Sequence, residues 1–226
     1  MTTFAPTAEQ TAIINAAVST KDNLAVVARA GAAKTTTLVM IAEALPEEQI
    51  LCLAFNKKIA DEMNERLPAN CEAKTLHGLG FAAWSRFIPG RCKLNKNKVY
   101  QILRTHFNEI EDVKEREEAF EVFYETVEMV GAAKQVGYIP SSYKGHWKSH
   151  CSDEDFFESL PKEPTDFQED AVKHALVQSF KAALKGEIDF DDMIYCPALC
   201  SVSWPSFPVT LIDEAQDLSA LNHYIL

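Results

Sequence analysis

The sequence has no apolar run approaching the roughly 20 residues that cross a bilayer, which argues against a helical membrane span. Its first residues, with Glu9 soon after Met1, lack the basic and then apolar layout of a secretory leader, so a cytoplasmic location is the expectation. Nor is there a cysteine framework. Cys52, Cys71, Cys92, Cys151, Cys196 and Cys200 are spread along the chain and read as reduced thiols, with no disulfides expected. A positive charge balance is missing too: a net charge of −11 argues at first sight against nucleic acid as a partner. The chain contains neither internal repeats nor low-complexity tracts.

What is present is 226 residues, 47% of them hydrophobic, enough to fill one large core or two small ones. The charge is segregated. Trp84 to Arg104 holds six basic residues (Arg86, Arg91, Lys93, Lys96, Lys98, Arg104) and no acid, whereas Glu109 to Glu128 is crowded with acids. A local nucleic-acid contact near 84–104 is compatible with this pattern; a solvated helix face is the more ordinary explanation of a charge cluster.

The apolar periodicity changes character along the chain. Residues 8–19 have helical spacing, with Thr7 as N-cap and Gln10 three positions on, the capping-box arrangement. Asn23 to Ala28 is a short apolar, β-branched run that predicts a buried strand leading into a small-residue turn. Helical spacing resumes from Lys34 to Leu45, and Gln49 to Phe55 predicts a second buried strand. A βαβ unit and a parallel sheet follow. Lys57 to Leu67 predicts a helix and Glu72 to Leu76 a third strand. Residues 85–185 lack strand-like runs and contain helical stretches at 98–107, 113–130 and 166–184. Val209 to Ile212 returns to a buried-strand pattern.

The segment VVARAGAAKTTTL (Val26 to Leu38) is a strand, a turn of small residues, a lysine and three hydroxyls opening a helix. Such a turn points backbone N–H groups inward and adds the positive end of a helix, so it suits a triphosphate. Ala30, Gly31, Ala32 and Ala33 would line it, Lys34 would reach the β- and γ-phosphates, and Thr35 would ligate Mg2+ beside Thr36. Relative to the G-x-x-x-x-G-K-[ST] pattern, alanine replaces glycine at 28 and 33; a positive φ at Ala33 would cost about 1 kcal/mol. The second feature is Val209 to Asp217 (VTLIDEAQD), which ends a buried strand in two acids. Beside a magnesium-nucleotide, Asp213 would hold the metal through water and Glu214 would orient and deprotonate the attacking water.

Taken in order, these segments resemble the UvrD/Rep family of superfamily 1 helicases, and the F-box helicase branch more closely. Phe4, Thr7, Glu9 and Gln10 resemble the Q motif, whose glutamine reads the adenine edge. ARAGAAKTTTL resembles motif I, LAFNKKIADEMNERLP motif Ia, AKTLHGLGFAAW motif Ib and LIDEAQDLS motif II; IDFDDMI (Ile188 to Ile194) is similar to the acidic-aromatic segment before motif II. The resemblance implies an α/β, RecA-like P-loop parallel sheet with helices on both faces and an inserted all-α subdomain. It implies residues 1–84 and 188–226 as the ATP-binding domain and 85–187 as the insertion. Phe4, Thr7 and Gln10 would contact ATP, and Gln216 would couple nucleotide to DNA. Motifs Ia and Ib imply a single-stranded DNA track at Phe55, Asn56, Lys57, Thr75, His77 and Trp84, with rings to stack and donors for phosphates or bases.

The resemblance also implies a second RecA-like domain, from a partner chain or a C-terminal half, supplying arginines whose lack costs about 10³ to 10⁵ in rate. Nucleotide binding with slow hydrolysis is therefore expected of residues 1–226. Two other classes stay open: an ATP-sensing binding module without turnover, and a different P-loop ATPase or kinase. His146, His150, Cys151, Cys196 and Cys200 have zinc-like spacings, but Cys196 and Cys200 straddle Pro197, so ordinary thiols are the preferred reading.

Overall fold

A computed structural model describes residues 5–29 and 31–226. In chain order the elements are α1 (Ala8–Ser19), α2 (Lys34–Ala44), β1 (Ile50–Leu53), α3 (Lys57–Asn64), β2 (Cys71–Lys74) and α4 (Leu76–Phe87). They continue with β3 (Lys93–Leu94), α5 (Lys98–Asn108), α6 (Val113–Glu121), α7 (Phe123–Val136), α8 (Asp153–Glu158) and α9 (Asp166–Leu184). Then come β4 (Glu187–Ile188), α10 (Asp192–Leu199), β5 (Val209–Ile212), a 3-10 turn at Ala215–Asp217 and α11 (Ala220–Ile225). The chain divides into two compact units, one of Met1–Leu76 with Pro205–Asp217, the other of His77–Trp204 with Leu218–Leu226. Sequence reading set the divisions at 84/85 and 187/188. No helix among the described residues is long and apolar enough to cross a membrane.

The first unit is α/β. Its sheet runs β2-β1-β5, all parallel, with Ile50 opposite Cys71 on one side and Val209 on the other. The middle strand, ILCL, is buried along its whole length, as a near-continuous apolar run in a parallel sheet requires. Ile50 and Cys52 pack with Ala42 from α2, Ala60 and Met63 from α3, and Ala73 from β2. Small side chains on the helices let them approach the sheet closely. The capping box is formed: Gln10 N donates to Thr7 Oγ1 at 3.2 Å, and Thr7 N to Gln10 Oε1 at 2.9 Å.

The strand expected over Asn23 to Ala28 is a correction. Residues 23–29 are in no strand ladder and are exposed, with Val27 fully accessible. β-propensity describes a side chain that suits a pleated surface; it does not supply the neighbouring strand that completes one. Among the described residues β5 is paired along one edge, to β1, and its side chains are only partly buried.

The second unit is helical, built around Trp84, Leu103, Phe107, Val130, Val172, Leu176, Phe180 and Tyr195, all at 0% exposure. The helix expected over 113–130 is two, α6 and α7, parted at Val122. Gly137 ends α7 at φ 73°, a left-handed conformation, and a Cβ there would stand 2.8 Å from Leu221 Cδ1. The short parallel pair β3 and β4 escapes sequence reading, two residues being too few to show a period.

Four charged side chains are buried in this unit: Lys98, Lys134, Asp189 and Asp192. Lys134 Nζ lies 2.6 Å from Asp189 Oδ2 and 2.8 Å from Asp192 Oδ1. Lys98 Nζ donates to Asp192, and to the carbonyls of Ser179 at 3.1 Å and Glu187 at 3.3 Å. Two ammonium groups thus face two carboxylates, the pairing that a buried charge needs. Burial alone would lower the Lys134 pKa, but the charges of Asp192 and Asp189 outweigh it and raise it. Burial likewise opposes ionisation of Asp192, and Lys134 and Lys98 overcome it, holding the carboxyl below its ordinary range. Lys98 belongs to the basic stretch 84–104, yet it serves the core.

Candidate functional site

The phosphate-type loop ends at Ala33, with φ 53° and ψ 39°, and α2 starts at Lys34. Gly31 is also left-handed, at φ 79°, and a Cβ built on it would meet nothing within 4 Å. The left-handed geometry at Ala33 accounts for the glycine that the motif pattern places there, since an L side chain pays a steric penalty for it. Ala30 and Phe4 lie outside the described residues.

β5 carries the acids to this loop. Asp213 N donates to Leu53 O at 3.0 Å, which continues the β1–β5 ladder by one residue and fixes the carboxylate beyond the strand end. Thr35 Oγ1 donates to Asp213 Oδ2 at 2.9 Å, across 178 positions of sequence. Lys34 Nζ stands 2.6 Å from Glu214 Oε1 and 2.7 Å from Oε2, with the two side chains 31% and 33% exposed. Glu214 holds this place with a left-handed backbone, φ 54°, and accepts from Gln216 Nε2 at 2.6 Å.

The hydrogen bond with Glu214 raises the Lys34 pKa, and the hydrogen bonds from Lys34 and then Gln216 lower that of Glu214. The signs set the pH window. A depressed carboxylate contributes above its unfolded value and is lost as pH falls through the folded one, while a raised lysine is lost only as pH rises through its folded value. The pair therefore stays intact through neutral pH, and acid below the ordinary glutamate range breaks it.

The donor set fits a magnesium-nucleotide. A hydroxyl and a carboxylate, both hard oxygens, stand within hydrogen-bond reach at the helix start, with an ammonium on the preceding residue already satisfied by an anionic oxygen pair. Lys34 and Glu214 neutralise each other here, so a phosphate would replace Glu214 as the partner of Lys34.

Two contacts were not legible in the sequence. Arg66 Nη2 donates to Thr36 Oγ1 at 3.1 Å, tying the end of the α3 region to the loop helix. Gln10 Nε2 donates to Thr37 Oγ1 at 3.0 Å while its Oε1 caps α1, so both ends of the amide are engaged and α1 is tied to α2. Thr7 serves as the N-cap.

Of the residues read as a DNA track, Phe55 is 65% exposed after β1, and Lys57 is exposed at the start of α3. Asn56 caps α3, its Oδ1 accepting from Ile59 N at 2.9 Å. Thr75 follows β2, so these residues gather at the C-terminal ends of neighbouring parallel strands, where open α/β sheets bind ligands. In the helical unit His77 is exposed. Trp84 is corrected: it is wholly buried, with Nε1 donating to Ala183 O at 3.2 Å, and a ring in that position cannot stack on a base.

Restoring glycine at position 33 tests the loop. Ala33→Gly removes the Cβ from the turn where backbone would approach phosphate, and ATP affinity by titration calorimetry should tighten by roughly fivefold. Unchanged or weaker binding would show that the turn is not a phosphate cradle.

The chain is similar in part to two known helicases. Over 77 residues, 34% of the chain, it is 36% identical to F-box DNA helicase protein 1 of Schizosaccharomyces pombe. Over 93 residues, 41% of the chain, it is 33% identical to F-box DNA helicase 1 of Gallus gallus. Each match spans 9% of the relative's length. The AAA domain family matches residues 10–226, a span that takes in both the lysine loop and the acid pair, and the chain belongs to that family.

Proposed function

We propose that this chain is the ATP-binding front half of a superfamily 1 DNA helicase or translocase, acting in the cytoplasm on Mg-ATP and single-stranded DNA. The observation that carries this reading is the meeting of Lys34–Thr35 with Asp213–Glu214, from opposite ends of the chain. The similarity to two F-box DNA helicases supports it.

In this reading Thr35 and Asp213 hold Mg2+, which when bound neutralises charge developing on the phosphates. Lys34 moves from Glu214 to the β- and γ-phosphate oxygens. That exchange also changes Glu214. While paired, its carboxylate is held at low pKa and is a weak base; without the ammonium its basicity rises, and it can orient a water and take its proton. Gln216 relays nucleotide state to DNA, and its hydrogen bond to Glu214 supports that role. For Gln10 to read adenine its amide must leave Thr37. Phe55, Asn56, Lys57, Thr75 and His77 contact single-stranded DNA. A second RecA-like domain supplies the arginines that complete hydrolysis.

The test is ATP turnover with and without single-stranded DNA, with Lys34→Ala as the blank. Turnover that rises with DNA and vanishes in the blank supports the reading. Turnover indifferent to DNA points instead to another P-loop ATPase or kinase, and tight ATP binding without turnover to an ATP-sensing module.

A further inference from the structure

Two histidines meet face to face in the helical unit. The ring of His106, on α5, stacks on that of His174, on α9, with centroids 4.1 Å apart and planes 11° from parallel. Both side chains are half-buried. A stack this flat suits neutral imidazoles, because a proton on each would set two positive rings against one another at close range. Burial lowers the His174 pKa most, and the neighbouring His106 lowers it further. Two other charges bear on it: Glu109, just past α5, which raises it, and Lys181, on α9 itself, which lowers it. Asp170, one turn before His174, is exposed.

The position of the pair gives it leverage. At the start of α5, Lys98 Nζ donates to Ser179 O of α9 at 3.1 Å. Roughly two turns further along α5, His106 meets His174, which precedes Ser179 in α9. The two helices are therefore antiparallel and clasped twice. The Lys98 clasp belongs to the buried quartet, in which Asp192 is held below the ordinary carboxylate range and Lys134 above that of lysine, so mild acid leaves it closed. The histidine clasp is the one that a proton can undo. Next to it lies Phe107, wholly buried, whose ring meets those of Phe120, Phe123 and Phe167.

We propose that His106 and His174 form a proton-operated clasp between α5 and α9, closed at neutral pH and opened by mild acid, which frees the C-terminal end of α5 and uncovers the Phe107 cluster while the Lys98 end holds. The direction follows from linkage. A histidine whose folded pKa is depressed contributes stability that is complete above its unfolded value and is lost as pH falls through that value toward the folded one. The window therefore opens below the ordinary histidine value of 6.5. The device stands independently of the nucleotide and DNA readings.

The experiment follows the melting temperature of the full chain from about pH 7.5 to about pH 5.5, the span over which histidine charges. Beside it runs the double variant His106→Phe with His174→Phe, which keeps two rings at the contact and removes both protons. The wild type should lose roughly 3 °C more than the variant over that span. His77, whose pKa burial also lowers, contributes alike to both proteins and cancels in the difference. Hydrogen exchange, corrected for its intrinsic dependence on pH, should quicken in acid at the C-terminal end of α5 and not at its Lys98 end. Should the variant fail to fold, ring-proton titration of the wild type by NMR decides, with His174 expected to titrate below the ordinary histidine value. Equal losses in the two proteins, faster exchange spread evenly along α5, or an ordinary His174 midpoint overturns the clasp.

Discussion

Asp192→Ala is expected to destabilise the helical unit by about 3–5 kcal/mol, the cost of leaving buried charge without its partner. Asp192 is wholly buried and meets both Lys98 and Lys134, so its removal leaves two buried ammonium groups with the single carboxylate of Asp189 between them. Neither lysine can reach water without unpacking α5 or α7. The comparison that isolates the cause is Asp192→Leu with Lys134→Met, which removes one charge of each sign. Because a buried ion pair replaced by apolar groups of similar volume is often near neutral, the double variant should recover much of the loss. Urea unfolding measures both. A double variant no more stable than Asp192→Ala would mean that shape, and not charge balance, governs this site.

Lys34→Ala should weaken ATP binding by about 10- to 100-fold, the value of a hydrogen bond to a charged group. Glu214→Gln should do the reverse of this at the chemical step. It keeps the shape and removes the base, so binding persists, even tightens as the competing carboxylate is neutralised, while turnover falls by about 10² to 10⁴. Calorimetry separates the first effect from the second, and phosphate release reads the turnover. Equal losses of binding in both variants would contradict the division of roles, and would suggest that the ion pair is a structural tie alone.

The parts of the fold that could be read from the sequence are those with a local signature. Thr7 and Gln10 announce a capping box, ILCL and VTLI announce parallel strands, of which only ILCL is buried, and KTTT after small residues announces a helix that starts at a phosphate-type turn. The acid pair was legible because carboxylates at an apolar strand end need a chemical reason. What escaped depends on partners distant in sequence. Asn23 to Ala28 has the composition of a strand, but composition cannot provide a ladder neighbour. Trp84 reads equally as a stacking ring or as core, and only the packing against Ala183, 99 positions away, decides. Lys98 reads as one more surface charge, and its carboxylate partner lies 94 positions on. Gln10 was legible as a cap, whereas its bond to Thr37 was not.

The most direct measurement of the central claim is Mg2+-dependent ATP affinity in a double-mutant cycle of Thr35→Val and Asp213→Asn. If hydroxyl and carboxylate serve one metal, each single variant abolishes the gain that Mg2+ gives and the double variant loses little more, a coupling of about 1–3 kcal/mol. Losses that simply add, or an affinity that ignores Mg2+ in every variant, would contradict a shared metal-triphosphate pocket.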